Sequence, residues 1–297
     1  MISQIPEITD TTEIRRPKPV LTISALAFLI AVGCLAACCI SIDRRWLVMW
    51  LIASALFFTC KGLTILAIKD RPETSDFIAY LLLWPGLNPS RFVSATRDRE
   101  TGIARGGIVN LLFGSTLLWM VTRRMADQPM IAAWIAMVGL IFVLHFGLFR
   151  LIAAFWMQRG RGVEPLMRCP IAAASLTDFW SRRWNLAFRD VSHALVFRPV
   201  SARWGPSAAT WAVFGLSGVL HELVTSVPAG AGFGGPTAYF LLQALGIHLA
   251  RNLNIRTGIA ARLWALGFIL LPLGLLFHPP FVHRVMIPFF QFIGALP

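Results

Sequence analysis

The sequence has 297 residues, of which 57% are hydrophobic and only 14% charged, and its mean hydropathy is +0.68. A soluble domain of this length carries about a quarter charged residues because its surface faces water, so the composition excludes an ordinary water-soluble globular fold. The formal net charge of +13 does not point to nucleic acid, because Lys and Arg punctuate apolar runs and do not gather on a soluble arm or face.

In chain order, the first apolar run is Val20–Ile42. Glu7, Asp10 and Glu13 precede it and no clean small-residue cleavage pattern follows, so it is expected to stay as a transmembrane anchor and not to be removed as a signal peptide. About twenty mainly apolar residues cross a bilayer. By that measure the later candidate spans are Trp46–Ile68, Gly106–Val121, Met130–Met157, Pro206–Val227, Pro236–Leu253, Ile259–Phe277 and Val282–Leu296, the third and last of the series being short. Phe77–Leu83 runs into Trp84-Pro85-Gly86 and is read as a re-entrant or interfacial piece. The expected fold is therefore all-α: a polytopic integral membrane protein of about eight transmembrane helices, forming a single membrane domain over residues 1–297.

Charge tests the orientation. With Arg15, Arg16 and Lys18 in the cytoplasm, alternation places residues 69–105, 158–205 and 251–262 on the same side, and these segments hold most of the basic residues. Arg44, Arg45, Arg123, Arg124 and Arg284 fall on the other side. Eight crossings with both termini cytoplasmic satisfy this bias. The five cysteines are odd in number, four lie in apolar runs (Cys34, Cys38, Cys39 and Cys60, with Cys169 apart), and none forms a CxxC pair, which disfavours a disulfide framework or zinc site.

The long connection Gln158–Gly205 is too apolar and aromatic for a disordered linker. Ser175-Leu-Thr-Asp178 has the form of a helix start. Continued at helical spacing, Leu176, Trp180, Trp184, Ala187 and Val191 make one stripe, while Asp178, Arg182, Asn185, Arg189 and Ser192 make another. The pattern is that of a helix lying in the membrane interface, and on pattern alone the better account of it is a tryptophan-anchored surface helix whose arginines meet lipid phosphates.

Ser217-Gly-Val-Leu-His221-Glu222 lies inside an apolar span. An ionisable pair there is costly unless a cavity or partner compensates, which makes it a functional candidate, with a histidine bonded between helices as the plainer reading. Gly215, Ser217 and Gly218 are small enough to let another helix or a substrate chain approach closely. Thr225 stands where HExxH requires its second histidine, so zinc protease chemistry is disfavoured. Gly230–Gly235 matches GxGxxG literally but joins two spans with no preceding strand, and no GxSxG elbow occurs. His145, His193, His248, His278 and His283 are more simply structural; Arg150 can snorkel to the interface; Lys61 lies deeper with no partner identifiable from sequence.

The runs Pro165-Leu-Met-Arg-Cys-Pro170, Ser175-Leu-Thr-Asp-Phe-Trp-Ser-Arg-Arg-Trp-Asn185 and Ser217-Gly-Val-Leu-His-Glu-Leu223 resemble the motifs of wax synthase-like proteins of the membrane-bound O-acyltransferase superfamily, as does Leu83-Trp-Pro-Gly-Leu-Asn-Pro89. The resemblance covers roughly residues 80–255. It implies an intramembrane reaction chamber in which an acyl group passes from acyl-CoA, a co-substrate and not a cofactor, to the hydroxyl of a lipophilic alcohol such as a fatty alcohol, glycerolipid, sterol or terpenoid, without a metal. It implies His221 and Asn185 as catalytic residues. His221 is suited to take the alcohol's proton and Asn185 to donate to the thioester oxygen or hold the CoA arm. Trp180, Arg182, Arg183, Trp184, Arg189 and Glu222 are the candidate substrate-binding residues, the arginines for CoA phosphates and Glu222 to orient or tune the imidazole. The chain is shorter, with fewer spans, than many superfamily members. The alternatives are an acetyl-CoA-dependent O-acetyltransferase of a natural product and, in another class, a lipid or proton-coupled transporter using His221-Glu222 as a relay. The expected partners are acyl-CoA, the alcohol and membrane lipid, in a bacterial plasma membrane or the endoplasmic reticulum.

Overall fold

Leucine, isoleucine, phenylalanine and alanine dominate long stretches of this chain, and in hydrocarbon such stretches must satisfy every backbone N–H and C=O internally, which a helix does. A computed structural model describes residues 44–68, 73–95 and 102–297. Val20–Ile42, with Cys34, Cys38 and Cys39, lies outside them. The described residues are helical apart from turns and one isolated antiparallel bridge between Ala95 and Arg161. In order the helices are α1 (Arg45–Leu66), α2 (Thr74–Leu83) and the short α3 (Pro89–Val93). Then come α4 (Ile103–Arg124), α5 (Pro129–Gln158), α6 (residues 176–183) and α7 (Leu186–Ala229). The last are α8 (Gly235–Asn252), α9 (Gly258–Leu276) and α10 (residues 279–292). Five of them, α1, α4, α5, α7 and α9, are long and apolar enough to cross a membrane. The protein is an all-α polytopic membrane protein.

Pro206 divides α7. Proline offers no N–H and disfavours helical backbone in the residue before it; Gly205 accordingly takes φ 83° and ψ 167°, a left-handed conformation suited to glycine. The stretch up to Trp204 is one arm and the crossing arm begins at Pro206, at the boundary expected from sequence.

Side-chain contacts define two faces. On the basic face Arg161 pairs with Asp76, Arg91 and Arg168 pair with Glu164, and the Trp156 indole donates to the Leu83 carbonyl at 3.2 Å. On the opposite face Arg45 donates to the Ala229 carbonyl at 2.7 Å and Arg284 to the same oxygen at 3.0 Å. Both ends of α2 meet residues of the basic face, which fits the interfacial or re-entrant reading of this segment.

The last helix, α10, is held at both ends. At the start of α10, the Phe281 N–H donates to His278 Nδ1, leaving Nε2 protonated to donate to Ser226 Oγ at 3.2 Å. At its far end Phe292 stacks on Trp46 with ring centroids 4.4 Å apart, and the Trp119 indole and Arg123 donate to the carbonyls of Ile293 and Gly294. Ser226, Trp46 and Arg123 all belong to the face opposite the basic one. Both ends of the helix of residues 279–292 therefore meet that face, where the sequence reading expects Val282–Leu296 to run from one face to the other. At 1.5 Å per residue it spans about 21 Å, short of the roughly 30 Å hydrocarbon layer.

Glycines bring α4 and α5 together. A Cβ on Gly114 would lie 2.7 Å from the Val143 nitrogen and 2.8 Å from the Gly139 carbonyl oxygen, and one on Gly147 would lie 3.0 Å from Leu111 Cα. Such close backbone approach is how membrane helices gain packing without a hydrophobic driving force. Gly218 does the same between α7 and α8, where its Cβ would lie 2.7 Å from Thr237 Cα; around Gly215 there is open space.

Candidate active site

The segment 175–192 begins as its sequence predicts. Ser175 Oγ accepts the Asp178 N–H at 3.1 Å and Asp178 Oδ2 accepts the Ala174 N–H at 3.0 Å, so the first turn has its orphan donors satisfied. Burial alone would raise the Asp178 carboxyl, but the Ala174 N–H and the Arg183 and Arg182 guanidiniums outweigh it and hold the group below the ordinary carboxylate range.

The expected single interfacial helix is interrupted. Phe179–Arg183 winds as a π-turn, Trp184 is extended, and Asn185 takes φ 43°, ψ 61°. Asparagine tolerates this left-handed state better than other side-chain-bearing residues. Asn185 then caps α7: its Oδ1 accepts the Phe188 N–H at 3.2 Å and its own N–H meets Met167 Sδ at 3.1 Å. With Oδ1 engaged at the cap, its NH₂ donors stay available to a ligand.

His221 sits in the crossing arm of α7, about 22 Å along the helix from Pro206 and about 12 Å from Ala229 at 1.5 Å per residue. Its Nδ1 lies 2.7 Å from the Ser217 carbonyl. A carbonyl only accepts, so Nδ1 carries the proton and neutral imidazole has its lone pair on Nε2. Phe240 packs 4.5 Å from the ring and is itself 5.8 Å from Trp180. A π-turn, Glu222–Ser226, begins immediately after His221; such turns recur at functional sites.

Asn185 and His221 line one cavity of about 1050 Å³. It reaches from Leu166, Met167 and Pro85 near the basic face to Trp50 and Val224 deeper in the helices, and its walls are overwhelmingly apolar. His145 lines it too, although no local sequence signal sets it apart from the other histidines.

The remaining predicted residues are not brought to this cavity. Trp180 packs between α7 and α8 against Phe214 and Phe240, its indole donating to Gln243 at 3.3 Å. Trp184 lies in a near-parallel stack with Phe179 at 5.5 Å and His145 at 6.5 Å. Arg183 donates to Asp178 at 2.6 Å and to the Cys169 carbonyl at 3.2 Å; Arg189 donates to the Ser181 carbonyl at 2.8 Å and pairs with Asp190. Arg182 is exposed on the basic face. Glu222 does not touch His221: its Oε1 accepts from the N–H groups of Gly234 and Thr237 at 2.9 and 3.1 Å and from the Thr237 hydroxyl at 3.0 Å, capping the start of α8. The helix N-terminus supplies both donors and a favourable dipole for this carboxylate.

Lys61 acquires the partners that sequence could not name. Its Nζ donates to the carbonyls of Tyr80 and Trp84, each at 2.6 Å, and lies 3.6 Å from the Tyr80 ring centroid. It thereby ties α1 to the C-terminal end of α2, beside the cavity wall at Trp84 and Pro85.

This is an all-α membrane protein whose cavity carries a neutral-tautomer histidine and an amide donor. Residues 163–242 match the sequence model of the membrane bound O-acyl transferase family. The chain is 30% identical over 153 residues to a probable long-chain-alcohol O-fatty-acyltransferase 9 of Arabidopsis thaliana, covering 44% of this chain and 43% of the relative. It is 26% identical over 147 residues to a long-chain-alcohol O-fatty-acyltransferase of Simmondsia chinensis (42% and 40%), and 30% identical over 94 residues to acyl-CoA–sterol O-acyltransferase 1 of Arabidopsis thaliana (29% and 27%). The matched stretch is less than half the length of these relatives. The wax synthase-like resemblance of the two central motifs is borne out, and the segment that carries both His221 and Asn185 is the one that matches the membrane bound O-acyl transferase model.

Proposed function

We propose that the protein transfers an acyl group from acyl-CoA to the hydroxyl of a lipophilic alcohol, forming an ester inside the membrane. The observation that carries this reading is the His221 tautomer: Nδ1–H is bound to the Ser217 carbonyl, so the basic Nε2 serves the large apolar cavity that Asn185 also lines. An alcohol is a weak nucleophile at neutral pH and needs a base as it attacks. In the reaction, Nε2 takes the hydroxyl proton while the alcohol oxygen bonds to the thioester carbon. The C–S bond then breaks, and the imidazolium returns the proton to the leaving thiolate. The Asn185 NH₂ donates to the carbonyl oxygen or to the pantetheine arm near it.

The relatives' names, which specify long-chain alcohols and a sterol, support a lipid acceptor. So does the cavity: about 1050 Å³ exceeds the roughly 300–1,000 Å³ of a typical small-ligand site, more room than an acetyl group needs. Acyl-CoA is water-soluble and arrives where Arg182 and the other basic residues gather, so the basic face is assigned to the cytoplasm and the C-terminus to the opposite side. Lipid extracts of a host expressing wild type should contain a new class of ester absent from the His221→Ala strain. Identical extracts from the two strains, at equal protein levels, would refute the reading.

A further inference from the structure

His145 is bonded unlike His221 of α7 and His248 of α8. His221 and His248 each place Nδ1 against the carbonyl four residues back, at 2.7 and 2.8 Å. His145 lies in the π-turn Phe142–Leu148 of α5, where i→i+5 winding changes the position of the ring relative to the preceding turn. Asn110 on α4 supports this turn by donating to the Phe146 carbonyl at 3.3 Å. Nδ1 of His145 is buried with no hydrogen-bond partner among the described residues.

A neutral imidazole has one proton to place. On Nδ1 it would be a buried donor without an acceptor, and orphaned buried N–H groups are rare. On Nε2 it becomes the ring's polar contribution to the cavity that His145 lines. The ring plane is held by Phe149, edge-on at 5.3 Å, and by Trp184, near-parallel at 6.5 Å and adjacent in sequence to Asn185. The cavity thus receives a lone pair from His221 and an N–H from His145.

We propose that His145 is a catalytic residue whose Nε2–H donates a hydrogen bond to the thioester carbonyl oxygen. The proposal rests on the acyl-transfer reading. As the alcohol oxygen bonds to the carbonyl carbon and its proton moves to His221, negative charge gathers on the carbonyl oxygen, and the His145 N–H meets it without giving up its proton. The oxygen's electron pair then re-forms the C=O bond as the C–S pair departs with sulfur, and the thiolate takes its proton from His221. A preplaced donor of this kind contributes about 10²–10³ in kcat.

The test compares purified wild type, His145→Gln and His145→Phe with a radiolabelled long-chain acyl-CoA and a long-chain alcohol. Gln presents an amide N–H near the position of Nε2, whereas Phe fills the space without a donor. The expected result is a loss of about 100-fold in kcat for Phe, KM for acyl-CoA within twofold of wild type, and at least tenfold recovery in Gln. If Phe lowers the melting temperature by more than a few degrees, His145→Met replaces it as the apolar variant. Apolar and Gln variants that match each other, whether both active or both inactive, overturn the proposal and leave the acyl-transfer reading standing; so does a rise in KM at unchanged kcat. A wild type that forms no ester defeats the acyl-transfer reading and this proposal together.

Discussion

Asn185 has two separable roles, one for each end of its amide. Oδ1 caps α7 through the Phe188 N–H, while NH₂ is the end available to a ligand in the cavity. Aspartate keeps the capping oxygen and tolerates left-handed backbone, but when ionised it has no donor. Asn185→Asp should therefore retain the melting temperature within a few degrees and lose about 10²-fold or more in kcat. Asn185→Ala should lose the activity and also about 1 kcal/mol of stability with the cap. Full activity in Asn185→Asp would mean that the amide donor has no part in the chemistry.

Within elements, stability rests on backbone approach and on the first turn of α6. A methyl group on Gly114 must displace the Val143 and Gly139 backbone, so Gly114→Ala should destabilise the α4–α5 pair by about 1–3 kcal/mol, measured by unfolding in detergent. The same substitution at Gly215, which faces open space, should be nearly neutral. Asp178 has its carboxyl pKa lowered on folding, so its contribution to stability is present above the unfolded-state value and disappears as pH falls through the lowered one. Wild type should consequently lose thermal stability below about pH 4 more steeply than Asp178→Asn, which lacks that ionisation. Parallel pH curves for the two would contradict the role of Asp178 in the cap.

For the molecule as a whole, sidedness is the sharpest structural prediction. In a cysteine-free background, cysteines introduced at Arg256 and at Pro297 should be modified from opposite sides of the membrane, because both ends of α10 meet the face opposite the basic one. Labelling of both from one side would restore the eighth crossing. The sequence made the apolar crossings legible, as it did the Ser175 cap and the buried histidine, because periodicity, capping residues and polarity in hydrocarbon are local signals. It did not reveal that both ends of α10 meet one face, since the composition of Val282–Leu296 resembles a span and its contacts with Trp46, Trp119 and Arg123 come from distant segments. The Asn185 break was hidden beneath an unbroken helical stripe. The partners of Lys61 and Glu222 depend on tertiary placement, and the π-turn around His145 has no composition of its own.

The central claim is that His221 Nε2 acts as the base for ester formation in this cavity. Its most direct measurement is single-turnover conversion of radiolabelled long-chain acyl-CoA by the purified protein in lipid nanodiscs containing a long-chain alcohol, with wild type and His221→Ala compared at equal folded concentration. The account predicts stoichiometric release of free CoA and formation of ester by wild type, and neither by the variant. Ester formation by His221→Ala at a rate near that of wild type would contradict it.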